Sequence, residues 1–164
     1  MPSLDHAPEI AAVEKKLSAA WEFLSGESRP FHCLPSSTDA LEFAEFSFFM
    51  PLNLAKESRQ GGVAVLMQHG DAVRVAANMF GVARREVQPA DLGDACAEVC
   101  NVFSDCLVQH FGAGQDVKIG LPRPASPTEY ARIVENSVVR AIYQGCAGAL
   151  SLLIVLYETL RSPS

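Results

Sequence analysis

The sequence is poor in basic residues, and it contains no cluster of lysine and arginine larger than the pair Arg84-Arg85. Thirteen lysines and arginines stand against 19 aspartates and glutamates, which gives a net charge of −6 at pH 7. A protein that binds nucleic acid normally carries a basic face that neutralises phosphates. The composition therefore argues against a nucleic-acid partner.

Long apolar segments and paired cysteine motifs are also missing. The longest largely apolar run, from Ala147 to Tyr157, falls well short of the roughly 20 residues that a membrane-spanning helix needs. The first ten residues lack the basic and apolar regions of a signal peptide. We therefore expect a cytoplasmic protein with no membrane contact. The five cysteines include no CxxC pair, which favours reduced thiols over disulfides.

Familiar catalytic motifs are absent as well. The run LSGES around Ser25 is not a GxSxG elbow, and the pair Gly61-Gly62 precedes a predicted strand rather than a helix, so it does not form a phosphate loop. The four histidines are scattered over different elements. Cys96 and Cys100 could bind a soft metal with Cys106, but all three fall on an apolar helix face, where packing explains them better. We predict no metal site.

The hydrophobic pattern predicts one α+β domain over residues 1–164, with an antiparallel or mixed sheet and helices packed on one face. Helices are predicted at about 9–25, 72–80, 91–111 and 126–134. Strands are predicted at 42–50, 63–67 and 116–120, and as a hairpin of 137–143 and 149–157.

The sequence also predicts how several of these elements begin, end and connect. Residues 27–39 are expected to be an irregular connection. Pro51 is expected to end the strand 42–50. Asp71 is expected to cap the following helix. The hairpin is expected to turn at Gln144-Gly145.

The predicted helix at 91–111 has an unusual outward face. Its apolar residues recur at three-and-four spacing and form one buried side. Asp94, Glu98, Asn101 and Asp105 fall together in a stripe on the opposite side. No lysine or arginine lies between Asp91 and Gln115, although a solvated helix face usually mixes both charges. The stripe is therefore the candidate functional site.

The stripe carries a resemblance to a known family. The pattern Asp94-x3-Glu98-x2-Asn101, followed after 22 residues by Pro124, resembles the signature of the CheC/CheX phosphatases, which is Asp or Ser, x3, Glu, x2, Asn, x22, Pro. The predicted order of elements over residues 40–158 is also similar to that family. Because the signature occurs once, the sequence is most similar to the single-site CheX-like members, which act as homodimers.

The resemblance implies a function and a partner. It implies hydrolysis of the phospho-aspartate of a CheY-type response-regulator receiver, in chemotaxis or related two-component signalling. Glu98 would pair with the receiver's active-site lysine and Asn101 would orient the attacking water, while Asp94, Asp105 and Pro124 would belong to the binding surface. Mg²⁺ would sit on the receiver, so this chain would bind no cofactor of its own.

One position departs from the family pattern and leaves a second reading open. Four residues after the asparagine the family usually has glycine, whereas this sequence has Asp105. A carboxylate one turn from Asn101 could repel a phosphoryl group unless a basic group neutralises it. The alternative is a non-catalytic receiver-binding or scaffold module. The residues also have ordinary structural uses, since Asp94 suits a helix N-terminus and Pro124 suits a turn.

Overall fold

A computed structural model of the chain describes residues 7–35, 46–54, 59–108, 117–147 and 150–159. These ranges form four α-helices and seven strands, and a short 3₁₀ turn precedes the third helix. The helices are α1 (Ala7–Ser25), α2 (His69–Phe80), α3 (Pro89–Leu107) and α4 (Pro127–Glu135). The strands are β1 (Phe31–Leu34), β2 (Phe46–Leu54), β3 (Arg59–Met67), β4 (Val117–Ile119), β5 (Arg123–Pro124), β6 (Ser137–Ala147) and β7 (Leu150–Thr159).

The strands form one sheet in the order β1-β6-β7-β3-β2-β4, and β5 pairs with β2 beside β4. Every strand pair in the described ranges is antiparallel. The predicted α+β class with an antiparallel sheet is therefore confirmed.

The two faces of the sheet carry two apolar cores of different size. Residues of β2, β3 and β7 alternate between the faces, as the pleat of a strand requires. The larger core joins one face to α1, α2 and α3, through side chains such as Trp21, Val75 and Phe103. The smaller core joins the opposite face to α4 through Tyr130. The expectation of helices on one face thus holds for three helices, and α4 lies on the other.

Two strands differ from the sequence expectation because their pairing partners lie far away in the chain. Residues 31–34 are strand β1 rather than irregular chain, since they pair with β6 from Phe31↔Gly145 onward. Strand β2 continues through Pro51 to Leu54. Pro51 lies between the segments of β2 that pair with β5 and β4. At that gap the missing proline N–H costs no ladder bond, and the Pro51 carbonyl accepts a hydrogen bond from Gly120.

The predicted hairpin of β6 and β7 is confirmed, but its predicted turn at Gln144-Gly145 is wrong. Both residues pair within β6, where Gly145 lies opposite Leu152. A Cβ at Gly145 would meet a ring carbon of Phe31 at 2.6 Å, so glycine is required here by the close approach of β1. Gly145, which suggested a turn in the sequence, is therefore a glycine because β1 packs closely against it.

Asp71 does not cap α2, which corrects another expectation. Residue Gln68 occupies the cap position and makes no side-chain cap bond. Asp71 lies buried in the first turn and pairs with Arg29, which precedes β1. This ion pair ties the connection after α1 to the start of α2.

The remaining predicted elements are present, although β3 begins at Arg59 and β6 ends at Ala147, each four residues beyond the predicted strand. Helix α1 extends the predicted 9–25 by two residues, and α2 ends at Gly81 in the left-handed conformation, with φ of 65°. The Ser126 side chain accepts a hydrogen bond from the Glu129 backbone N–H, as the predicted cap of α4 requires. Predicted residues 42–45 of the strand 42–50, and residues 109–111 of the long helix with the glycines after them, lie outside the described residues. In the described chain, no helix is long and apolar enough to cross a membrane.

Candidate functional site

Helix α3 carries the candidate site, and its sequence explains both its start and its orientation. Pro89 occupies the first turn, where the missing N–H costs nothing. The Asp91 carboxylate accepts a hydrogen bond of 2.9 Å from the Gln88 backbone N–H. The side buried against the sheet and the other helices consists of Ala95, Cys96, Val99, Cys100, Phe103, Ser104 and Leu107. The opposite side of the helix is consequently fixed towards solvent.

The structure places all four predicted stripe residues on that solvent side. Asp94, Glu98, Asn101 and Asp105 are each exposed. Their spacing of four, three and four residues puts neighbours about one turn apart, with Cβ atoms roughly 5–6 Å from each other. Within the described ranges, no hydrogen bond or ion pair engages the Glu98 carboxylate or the Asn101 amide. Both groups are therefore available to a partner molecule.

Pro124 lies on the same side of the sheet as α3. In the pairing of β5 with β2, Pro124 is directly opposite Phe48, which belongs to the larger core. Residues directly opposite each other in an antiparallel pair project from the same face. Strand β5 also contacts α3. The fold thus brings Pro124 beside the helix that carries Glu98 and Asn101, although 22 residues separate it from Asn101.

The charges near Asp105 come from two helices. Burial raises the pKa of the Cys106 thiol, and the neighbouring Asp105 carboxylate raises it further. The ammonium group of Lys16, on α1, lowers the same pKa. Helices α1 and α3 pack against each other. The positive charge of Lys16 therefore acts at the end of α3 that carries Asp105, a proximity that sequence spacing cannot reveal because it depends on helix packing.

The buried thiols of α3 have a packing role. Burial raises the pKa of both Cys96 and Cys100 to about 12, so both remain protonated at neutral pH. A metal-binding cysteine must be a thiolate. In the part of the chain that the structure describes, no group of three or more His, Cys, Asp and Glu residues is placed to hold a metal ion.

Comparison with known proteins gives matches at the level of structure only. No protein-family model and no curated protein sequence matches the chain. The chemotaxis protein CheX from Vibrio vulnificus is 13% identical with a TM-score of 0.66, over 93% of this chain and 99% of that one. CheX from Borrelia burgdorferi, solved as a complex with CheY, BeF3 and Mg²⁺, is 12% identical with a TM-score of 0.65, over 92% and 97%.

A further solved structure shares the same architecture. The middle domain of FliM from H. pylori is 9% identical with a TM-score of 0.59, over 92% of this chain and 88% of that one. At identities this low, the structural similarity establishes the fold alone. The roles of Glu98 and Asn101 stay predictions. This chain therefore has the fold of the CheC/CheX chemotaxis proteins.

Proposed function

We propose that this chain is a CheX-like phosphatase, which hydrolyses the phospho-aspartate of a CheY-type receiver domain in chemotaxis or related two-component signalling. The observation that carries the proposal is the pair Glu98 and Asn101, exposed one turn apart on α3 without partners among the described residues. The CheX–CheY complex of the Borrelia protein supports the choice of partner, since that protein has the same fold.

In the proposed reaction, Asn101 positions the attacking water. The water oxygen forms a bond to phosphorus while the bond between phosphorus and the aspartate oxygen breaks. The aspartate leaves as a carboxylate, and the water's proton passes to the phosphate product or solvent. Because phosphoryl transfer passes through a loose transition state, holding the water in line matters more than a strong base. A neutral amide can hold water without repelling the phosphoryl oxygens.

Glu98 serves to engage the receiver. An unpaired carboxylate close to a phosphoryl group is repulsive, so Glu98 requires a cation on the partner, which we propose is the receiver's active-site lysine. Removing a charge-assisted hydrogen bond of this kind costs about 1.5–3 kcal/mol, or roughly 10- to 100-fold in Kd. We expect this loss for Glu98→Ala, measured by titration against a receiver. The Mg²⁺ ion is proposed to be held by the receiver, with no cofactor on this chain.

A second candidate function follows from Asp105. Its exposed carboxylate lies one turn beyond Asn101 on the same stripe, where it opposes the approach of an anion. This favours a module that binds a receiver without turning it over. The charge of Lys16 at the neighbouring Cys106 acts in the other direction, because it offsets the field of Asp105.

The two candidates are separated by the lifetime of phosphorylated receivers from the same organism. For the phosphatase, the parent chain shortens the lifetime and Lys16→Gln reduces that effect. The control is Lys15→Gln, which removes an exposed lysine that lies about 100° away around the same helix. For the binding module, the parent chain binds a receiver without shortening its lifetime, and Asp105→Gly creates the activity. If no receiver binds or is dephosphorylated, both candidates are wrong.

The proposal extends to assembly and location. We propose that the chain is a cytoplasmic homodimer, in keeping with its CheX-like fold. Sedimentation equilibrium at working concentration tests the homodimer. A monomeric mass contradicts the homodimer.

A further inference from the structure

A row of polar side chains crosses the face of the sheet opposite α3. Asn53 of β2 is directly opposite Gln60 of β3, and Ser137 of β6 is directly opposite Thr159 of β7. Strands β3 and β7 are neighbours, and their register from Gly61↔Glu158 continues to Gln60 and Thr159. All four side chains project from the face that α4 covers, because Phe49, Ala64, Tyr157 and Val139 alternate in step with them in the smaller core. Four adjacent strands therefore present amide and hydroxyl groups in one line.

This polar row forms the floor of a cavity of about 390 Å³. The volume lies within the range of small-molecule sites, roughly 300–1,000 Å³. The end of α4 supplies one wall through Arg132, Ile133 and Asn136, and Phe49 supplies an apolar wall. The Asn136 side-chain NH₂ donates to the Arg132 carbonyl at 2.8 Å, which leaves the amide oxygen of Asn136 free to accept. The cavity thus combines convergent polar groups with an apolar side.

Among the described residues that line the cavity, Arg132 carries the charge, and this charge is positive. No ion pair or hydrogen bond engages the exposed guanidinium of Arg132 within the described ranges. Glu135, one turn away on α4, forms no ion pair with it there. The neighbouring Arg123 is already paired with Glu129 at 2.9 Å. A positive charge without a carboxylate partner, set in a cavity of hydrogen-bonding groups, favours an anionic ligand.

We propose that this cavity binds a small, hydroxyl-bearing organic anion. Its phosphate or carboxylate group pairs with Arg132, and its hydroxyl groups bind the polar row of Asn53, Gln60, Thr159 and Ser137. The site is separate from Glu98 and Asn101, since it lies on the other face of the sheet, and the inference does not depend on the proposed phosphatase activity.

The test is a titration of the full chain followed by backbone amide NMR shifts. The probes are ribose 5-phosphate, citrate and the neutral sugar ribose. We expect one or both anions to shift the signals of Asn53, Gln60 and Thr159 in a saturable manner, while ribose does not. Comparing the two anions tells a phosphate site from a carboxylate site.

Matched variants assign the binding to this cavity. Arg132→Gln should weaken binding of the anion by tenfold or more, since a charge-assisted hydrogen bond is worth about 1.5–3 kcal/mol. Arg85→Gln removes an exposed arginine in the 3₁₀ turn away from the cavity and should leave binding unchanged. Asn53→Ala keeps the charge and should weaken binding to a smaller extent. Absence of saturable shifts with both anions, or equal binding by Arg132→Gln and the parent, would overturn the proposal.

Discussion

The buried ion pair between Arg29 and Asp71 should be highly sensitive to the loss of either charge. The two guanidinium nitrogens donate to the two carboxylate oxygens at 3.0 and 2.8 Å. The side chains are 1% and 0% exposed, and the guanidinium carbon lies 4.6 Å from the centre of the Trp21 ring. Asp71→Asn keeps the shape of the side chain and removes its charge, so Arg29 would remain buried without a counter-ion.

Breaking a buried pair in this way costs about 3–5 kcal/mol, since it strands a desolvated charge. With a urea m-value of roughly 2 kcal/mol/M, the unfolding midpoint should fall by about 1.5–2.5 M. The matched control is Arg140→Gln, which removes an ion pair of 2.8 Å to Glu158 whose arginine is 47% exposed. Exposed pairs are worth about 0.2–1 kcal/mol, so this variant should barely move the midpoint.

A double variant separates the cost of the stranded charge from the value of the contact. Replacing both partners, as Arg29→Met with Asp71→Leu, should recover much of the stability lost in Asp71→Asn, because no charge is left buried. If Asp71→Asn costs no more than Arg140→Gln, the reasoning from burial is wrong.

Further changes test the packing of α3 and of strand β6. Gly93→Ala in α3 should stabilise by about 0.5–1 kcal/mol in urea unfolding, since a helical glycine is unfavourable and its Cβ would meet nothing within 4 Å. Gly145→Ala should destabilise by about 1–3 kcal/mol, because its Cβ would meet the Phe31 ring at 2.6 Å. Equal stabilities of Gly93→Ala and Gly145→Ala would contradict both predictions. At pH 8 a thiol reagent should modify exposed Cys146 and spare Cys96, whose pKa burial raises to about 12, until the chain unfolds. Rapid modification of Cys96 in the folded chain would refute its burial.

The site helix could be predicted from sequence because its two faces depend only on the period of one helix. Apolar positions spaced at three and four residues define a single side, which leaves Asp94, Glu98, Asn101 and Asp105 on the other. The placement of Pro124 beside α3, in contrast, depends on the pairing of β5 with β2, which no local pattern indicates. The rest of the chain supplies only the apolar surface against which α3 packs.

Features that depend on distant pairing could not be predicted. Asp71 resembled a helix cap because its partner, Arg29, is 42 residues away and nothing local indicates a buried ion pair. Strand β1 resembled a loop because its four residues gain strand structure only by pairing with β6. The polar row beneath α4 likewise arises from strand register, since Asn53 and Thr159 are ordinary surface residues in the sequence.

The central claim, that Asn101 positions the water for hydrolysis, is tested most directly by single-turnover dephosphorylation of a phosphorylated receiver at saturating concentrations of the chain. Saturation removes differences in affinity, so the rate reports the chemical step. We expect Asn101→Ala to bind the receiver as the parent does and to lose on the order of 100-fold in rate, as misplacement of a reacting group does. Equal rates for Asn101→Ala and the parent would contradict the claim.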